Sequence, residues 1–230
     1  MKKNAIVSFS NKNGRYAQNM ARLSESLRNN FDGDFIGFTN EASIGSPPHH
    51  LMPYAFKIYA IEAALKTGLY KNILWLDSSC FAIKNVQPIF DEIDKDGFIF
   101  IDAGHYLGNY STDACLAYYG ITRDEAMLIK MVGNAGFLGL DFTNDKAVEF
   151  FDLWKRSMEK GMFFGSWNND DFSCSFDTRC KGSRHDMQNS SALVYKMKLT
   201  HLMKPGDTWL QYAGIFDETS GPSIIIKAQG

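Results

Sequence analysis

Short apolar runs alternate along the chain with apolar residues at helical spacing. Four short strands are predicted, at Ala5–Phe9, Asp34–Phe38, Ile73–Leu76 and Gly97–Asp102. The last two are predicted to be buried, and the continuous run Ile73–Leu76 suits a strand buried on both faces of a sheet. Between the first two, an amphipathic helix is predicted by the stripe of Tyr16, Met20, Leu23 and Leu27. This strand–helix–strand opening predicts parallel strands with a right-handed crossover, and hence an α/β fold with a mostly parallel central sheet.

The later segments continue the alternation. One helix is predicted to end near Gly68, with an apolar face of Phe56, Tyr59, Ala60, Ala63 and Ala64. Another is predicted to end near Gly161, with a stripe of Ala147, Phe150, Phe151, Trp154 and Met158. The remaining predicted elements are a helix at Gln87–Asp94, a helix from the capping box Thr122–Glu125 to about Met131, a helix opened by Arg184–Gln188, and strands at Trp209–Tyr212 and Ser223–Lys227. No repeat divides the chain, so we interpret residues 1–230 as one domain, which can be a module of a longer protein.

Composition narrows the class of partner. The 230 residues carry a net charge of −2, with 45% hydrophobic and 22% charged residues, so nothing favours a nucleic-acid or anionic-membrane partner. No apolar run approaches the roughly 20 residues that span a bilayer. The four cysteines, Cys80, Cys115, Cys174 and Cys180, form no Cys-x-x-Cys pair. We therefore expect a reducing, cytoplasmic location and no thiolate metal site.

Asp77 directly follows the apolar run Ile73–Leu76. It is expected at the carboxyl end of a central strand, where open α/β sheets bind their ligands. A carboxylate beside Trp75 and Leu76 is unfavourable unless a cation or hydrogen-bond donors meet it. Asp77 is therefore either a ligand-binding residue or the cap of the following turn.

The loop after the first strand is a candidate nucleotide site. Ser8, Phe9, Ser10 and Arg15 are its candidate contacts, although the chain has no Gly-x-Gly-x-x-Gly fingerprint and a single loop arginine is often only solvated. Lys57 lies near the beginning of a predicted helix, where a cation opposes the helix dipole. That placement is explained if Lys57 reaches a diphosphate.

Three further segments contain candidate chemistry. The small residues of Gly133–Asp141 indicate close approach of backbone to a ligand, or alternatively a bulge. Asp170 and Asp171, near Trp167, suit a bound sugar or a surface turn. Asp186 lies at the beginning of a predicted helix, where an aspartate is commonly an N-cap.

The order of these segments resembles a known family. Tyr54–Lys57, Ile73–Ser79, Asn134–Phe137 and Arg184–Gln188 together resemble the GT-A-type nucleotide-diphospho-sugar glycosyltransferases, over roughly residues 4–204. The chain also resembles the compact glycosyltransferases that large DNA viruses and some bacteria encode. The resemblance implies a single Rossmann-like α/β/α sandwich, located in the host cytoplasm if the protein is viral.

The resemblance also implies roles for individual residues. The family's Asp-x-Asp motif, which holds Mn²⁺ or Mg²⁺, corresponds to Asp77, Ser78 and Ser79, so a serine replaces its second carboxylate. His201 is the candidate for a further metal ligand. Lys57 and Arg15 would contact the donor phosphates. Ser78 would also contact the nucleotide-sugar donor. The donor sugar would face Asn134, Ala135 and Gly136.

The implied reaction is transfer of a hexosyl or deoxyhexosyl group, preferably from a UDP-sugar, to a hydroxyl of a glycan or glycoprotein. Asp186, or alternatively Asp171, would bind a donor hydroxyl or act as general base, and an acid acting as base favours inversion. Two other interpretations stay open. One is a non-catalytic nucleotide-sugar-binding domain. The other is a haloacid-dehalogenase-like phosphatase, although Ser79 occupies the position where that class needs a second aspartate.

Overall fold

The computed structural model describes residues 3–133, 136–205, 209–212 and 224–227. Its strands are β1 Lys3–Phe9, β2 Asp34–Phe38, β3 Tyr70–Leu76, β4 Cys80–Ala82, β5 Phe98–Tyr106, β6 Lys130–Val132, β7 Phe137–Asp141, β8 Met203–Lys204, β9 Leu210–Tyr212 and β10 Ile225–Lys227. Its α-helices are α1 Arg15–Leu27, α2 Ala55–Leu65, α3 Gln87–Asp96, α4 Asp113–Tyr119, α5 Arg123–Ala126, α6 Asp145–Glu159 and α7 Asp186–Lys196. Short 3-10 helices lie at Ala42–Ile44, Leu107–Asn109 and Thr200–Leu202.

Seven strands form the main sheet, in the order β2-β1-β3-β7-β5-β6, with β8 paired to β5. The pairs β1–β2, β1–β3 and β5–β8 are parallel, whereas β7 is antiparallel to both β3 and β5, and β6 is antiparallel to β5. Among the described strands of this sheet, five therefore run in one direction and β6 and β7 run in the other. This confirms the predicted α/β fold with a mostly parallel central sheet.

Helices cover both faces of the sheet, which explains the continuous apolar runs of its strands. Alternate side chains of β3 point to opposite faces. Ile73 and Trp75 pack with α2, α6 and α7, whereas Leu74 and Leu76 pack with α1 and α3. The result is an α/β/α sandwich with an apolar core on each side of the sheet.

Two predicted elements differ from the structure. The helix from Thr122 ends at Ala126, with both capping-box hydrogen bonds present, and the segment expected to continue it forms β6. Met131 and Val132 are buried there, and the backbone N–H of Val132 donates to Ser191 Oγ. Pairing with β5 thus overrides the local helix signal, because it buries this apolar segment.

The apolar face of α2 also differs from the prediction. Its fully buried residues are Ala55, Lys57, Ile58, Ala60, Ile61 and Ala64, whereas Phe56, Tyr59 and Ala63 are only half-buried. Because α2 is apolar on most of its surface, helical spacing does not identify one inward face. The face that turns to the sheet contains Lys57.

The two predicted late strands are confirmed as β9 and β10. They form a small second sheet with β4, in the order β4-β10-β9. Leu210 and Ile225 extend the core on the α1 and α3 side.

Candidate active site

The carboxyl ends of β1 and β3 lie side by side, because these parallel strands are paired. The beginnings of α2 and α7 also reach this edge of the sheet, since Lys57 of α2 contacts both Asp77 after β3 and Asp186 of α7. Open α/β sheets bind their ligands at such an edge. This edge is the candidate active site.

Lys57 is the buried centre of the site. Its Nζ lies 2.8 Å from Asp186 Oδ2 and 3.6 Å from Asp77 Oδ1. The Lys57 and Asp186 side chains are 2% and 3% exposed, whereas that of Asp77 is 28% exposed. Solvent therefore screens the Lys57–Asp186 ion pair only weakly, and Asp77 is the carboxylate of the site that a ligand can reach from solvent.

Asp186 is a buried acid and not a helix cap. The N-cap of α7 is His185, and the Asp186 carboxylate accepts from Lys57. The interpretation of Asp186 as an N-cap is therefore wrong. Burial raises the pKa of the Asp186 carboxyl, and the neighbouring Lys57 opposes that rise. Asp186 also lines a cavity of about 20 Å³ with Ser190 and Gly133, which is space for about one water molecule.

The spacing of Trp75 and Asp77 explains why Asp77 faces Lys57. Residues two apart on an extended strand point to the same face, here the face covered by α2. Trp75 Nε1 donates to Asp77 Oδ1 at 3.0 Å. The indole thus fixes a carboxylate that the sequence identified only by its position after an apolar run.

The predicted nucleotide contacts at the end of β1, Ser8, Phe9 and Ser10, lie on both faces of the sheet. Phe9 packs on the α2 side and stacks on Phe56, with ring centroids 4.6 Å apart. Ser8 and Ser10 alternate with it, are fully or nearly buried, and their hydroxyls have no hydrogen-bond partner among the described residues. Arg15, at the beginning of α1, is exposed beside Tyr16.

The segment after Asp77 folds tightly against its neighbours. Ser78 and Ser79 are buried, and the Ser79 carbonyl accepts from Arg22 Nη2 at 3.0 Å. The Gly136 carbonyl accepts from the backbone N–H of Asp77, also at 3.0 Å. Arg22 was not a predicted site residue, although it follows Arg15 by two helical turns and the repeat was visible in the sequence. Asn134 and Ala135 lie outside the described residues.

Asp171 and His201 have other surroundings. Asp171 is on an exposed loop, and its carboxylate accepts from the backbone N–H of Ser173. His201 is exposed in the 3-10 helix Thr200–Leu202, and its Nδ1 contacts the carbonyl of Lys198. That 3-10 helix leads into β8, which pairs with β5, and β7 separates β5 from β3. Within the described residues, the Asp171 carboxylate and the His201 ring thus bond to neighbouring backbone of their own segments.

An aromatic cluster borders Lys57 and Asp186. The Tyr54 ring lies 5.1 Å from Lys57 Nζ, and its centroid lies 5.3 Å from that of His185. Trp167 contacts His185 edge to face, with centroids 4.8 Å apart. Tyr54 and His185 both have positive φ, 59° and 48°. Strained backbone at two touching residues is typical of a functional site.

A ready-made metal site is not present in the part of the chain that the structure describes, because no three His, Cys, Asp or Glu side chains lie close enough to share an ion. Asp77 is the carboxylate that the sequence resemblance predicts to bind a metal, and a cation, Lys57, already lies 3.6 Å from it. These residues alone do not provide the oxygen ligands that Mn²⁺ or Mg²⁺ requires.

No described helix is both long and apolar enough to cross a membrane.

Comparison with known proteins identifies the fold. No protein-family model and no curated protein sequence matches the chain. Among solved structures, it is similar to a glycosyltransferase involved in the glycosylation of the major capsid of PBCV-1, with a TM-score of 0.56 and 14% identity over 98% of this chain and 92% of that one. It is also similar to the bifunctional glycosyltransferase WbbM, with a TM-score of 0.52 and 10% identity over 98% of this chain and 45% of that one. Mouse xyloside xylosyltransferase 1 aligns with a TM-score of 0.49 and 12% identity, over 98% and 96% of the two chains. The first two likenesses show that this chain has the GT-A-like glycosyltransferase fold.

Proposed function

We propose that this protein transfers a hexosyl or deoxyhexosyl group from a nucleotide-diphosphate sugar, preferably a UDP-sugar, to a hydroxyl of a glycan or glycoprotein acceptor. One observation carries the proposal. Asp77 and Asp186, 109 residues apart in the sequence, meet at the buried Lys57 on the carboxyl edge of a glycosyltransferase-like fold.

Unsatisfied hydroxyls support a nucleotide at the end of β1. A buried hydroxyl without a partner is unfavourable, so native proteins normally satisfy such groups with protein, water or ligand. The Ser8 and Ser10 hydroxyls lack a protein partner among the described residues. In our proposal they bind the nucleotide, with Arg15 near the phosphates and Phe9 and Ser78 at the edges of the same site.

Asp186 is the proposed catalytic carboxylate. A general base is most effective when its pKa approaches the working pH. Burial raises the Asp186 pKa in that direction, while the Lys57 ammonium opposes full neutralisation. Asp186 then accepts the proton of the acceptor hydroxyl, which gives inversion, or holds a donor hydroxyl in a retaining reaction. Asp171 is the alternative acid, and Gly136, Asn134 and Ala135 are proposed to border the donor sugar.

A divalent ion, Mn²⁺ or Mg²⁺, remains part of the proposal, with Asp77, Ser79 and His201 as candidate ligands. When bound, such an ion would act as a Lewis acid on the diphosphate leaving group. The described side chains do not form a ready-made site for this ion. We also propose a cytoplasmic location, supported by four buried cysteines that are all unpaired.

A donor panel tests the proposal. UDP-, GDP- and dTDP-sugars are incubated with the protein, with and without Mn²⁺, and released nucleotide and melting temperature are both measured. We expect one nucleotide sugar to raise the melting temperature, since a ligand that binds only the folded state stabilises it. We expect the same sugar to yield free nucleotide.

The two readouts separate the proposal from its alternatives. Stabilisation without nucleotide release, even with a broad set of acceptor sugars, would identify a binding domain. No stabilisation and no release with any donor, with or without metal, would contradict the proposal.

A further inference from the structure

Within the described residues, His185 has one imidazole nitrogen without a hydrogen-bond partner. Its Nδ1 lies 3.0 Å from the carbonyl oxygen of Phe163. A carbonyl can only accept, so Nδ1 carries the proton. Burial lowers the pKa of His185, and in the neutral imidazole Nε2 presents a bare lone pair. His185 is 4% exposed, and its Nε2 is buried without a hydrogen-bond partner among the described residues.

The surrounding backbone fixes the position of this nitrogen. The N–H of His185 donates to Ser183 Oγ at 3.1 Å, and its carbonyl accepts from Asn189 Nδ2 at 2.9 Å. The indole of Trp154 donates to the carbonyl of the next residue, Asp186, at 3.2 Å. These contacts hold His185 at φ 48° and ψ −112°, a conformation unfavourable for a residue with a side chain. The imidazole is therefore rigidly placed beside Asp186.

Trp167 provides an apolar surface against the His185 ring. Its ring contacts that of His185 yet is 55% exposed. The backbone of Trp167 is restrained, because Arg184 Nη1 donates a hydrogen bond to the Trp167 carbonyl at 3.0 Å. Gly182 passes so close to that carbonyl that any Cβ at residue 182 would overlap it. A large ring is thus presented to solvent on a restrained backbone.

The combination selects one ligand chemistry. A lone pair that only accepts cannot bind phosphate or carboxylate oxygen, and it requires an N–H or O–H donor. An exposed indole and nearby carboxylates suit the apolar face and the hydroxyls of a sugar ring. A nucleobase N–H is the competing donor, but the unsatisfied hydroxyls proposed to bind the nucleotide, of Ser8 and Ser10, lie at the end of β1.

We propose that His185 and Trp167 form a saccharide-binding subsite, in which Nε2 of His185 accepts a hydrogen bond from a sugar hydroxyl while the sugar ring packs on Trp167. The subsite rests on the proposed function, since it would hold either the sugar of the donor or the acceptor beside Asp186. Tyr54, which contacts both rings, closes the side nearest Lys57.

The first test uses affinity. Asparagine tolerates positive φ, so His185→Asn removes Nε2 with the least backbone cost. We expect affinity for the nucleotide sugar, but not for the free nucleotide, to fall about three- to tenfold by calorimetry, as for the loss of one hydrogen bond. If the subsite holds the acceptor, both affinities stay constant and kcat/KM for the acceptor falls by the same factor. An equal loss for free nucleotide, or no change in any of these quantities, would overturn the subsite.

Trp167→Ala gives an independent arm with a matched control. Phe176 is also an exposed aromatic, at 86%, on the same stretch of loop, and Phe176→Ala removes a ring outside the subsite. We expect Trp167→Ala to reduce saccharide-dependent binding or turnover and Phe176→Ala to leave both unchanged. Equal effects of the two variants would contradict the role of Trp167.

A third test, by NMR spectroscopy, detects saccharide binding at His185 without requiring catalysis. Protein with ¹⁵N-labelled histidine is titrated with methyl glycosides of hexoses and deoxyhexoses, and the ¹⁵N resonance of His185 Nε2 is followed. We expect the resonance of an unprotonated nitrogen, which moves on addition of glycoside in wild type but not in Trp167→Ala. If no nucleotide sugar binds and Nε2 still responds, the proposed function fails and the subsite stands. A protonated Nε2, or one unaffected by every glycoside, would overturn the subsite.

Discussion

The beginning of α7 and the loop at 163–180 each present an aspartate near aromatic side chains, and their surroundings are opposite. Asp186 is 2% exposed, and its carboxylate accepts a hydrogen bond from the buried Lys57. Asp171 is exposed, and its carboxylate accepts a hydrogen bond from the backbone N–H of Ser173 in the same loop. Burial raises the pKa of Asp186, while hydrogen bonds from Ser173 lower that of Asp171. Nearness to Trp167 in sequence therefore does not mark an acid as catalytic, whereas placement against a charged partner in a dry site is the environment expected of a catalytic carboxylate.

The largest effect that separates the two acids is expected on turnover. Asp186→Asn keeps the shape of the side chain but removes the proposed base, so we expect nucleotide release to fall about 10²- to 10⁴-fold. Asp171→Asn serves as the control, with less than about twofold change expected because its carboxylate faces solvent. Circular dichroism of both variants checks the fold. Similar losses in the two variants would remove the distinction between the two regions.

The next effect concerns stability. Lys57→Met leaves the Asp186 carboxylate buried without its cation. We expect the free energy of unfolding, measured by denaturant titration, to fall by about 3–5 kcal/mol. Lys130, whose Nζ lies 2.7 Å from Asp102 at the surface, provides the control, and Lys130→Met should leave the midpoint nearly unchanged. The double variant Lys57→Met/Asp186→Leu should regain most of the loss. A single Lys57→Met variant as stable as wild type would show that the pair is not sealed from solvent.

A pH profile sharpens the same comparison. A base must be ionised, so activity is lost as pH falls through its pKa. Because the pKa of Asp186 is raised, the acid limb of kcat/KM should lie above 3.8, the ordinary value for an aspartate. Asp171→Asn should leave the limb in place, since the pKa of Asp171 is lowered. A limb that moves in Asp171→Asn would assign the titration to the loop.

The smallest expected effect is at Trp75. Trp75→Phe removes the 3.0 Å hydrogen bond to Asp77 but keeps the ring, so turnover should fall about three- to tenfold. Trp209 has an indole N–H without a hydrogen-bond partner in the described part of the chain, so Trp209→Phe is a matched control with no bond to lose. Equal turnover of the two variants would show that the indole does not orient Asp77.

Much of the fold was predictable because its strands are buried on both sides. Continuous apolar runs identified β1, β3 and β5, and the position of Asp77 followed from the end of one run. The strand β6 was mistaken for helix, since its identity depends on pairing with β5 and not on local pattern. Lys57 was recognised as unusual by its place in α2, but its burial between two acids depends on segments far away in sequence.

The site was harder to predict than the fold. Arg22 repeats Arg15 at helical spacing, but its hydrogen bond to the Ser79 carbonyl depends on the tertiary structure. The surroundings of His185 Nε2, which has no hydrogen-bond partner among the described residues, likewise depend on packing. Asp186 and Asp171 differ only in what the tertiary structure packs around them. Sequence therefore located the acids, and packing distinguishes them.

Asp77→Asn tests the central claim most directly. Nucleotide release from the best donor is measured for wild type and Asp77→Asn, with melting temperatures recorded beside it. If the Asp77 carboxylate is part of a glycosyl-transfer site, turnover should fall at least about 100-fold while the variant stays folded. Unchanged turnover in a folded Asp77→Asn protein would assign Asp77 a structural role at the end of β3 and contradict the account of the site.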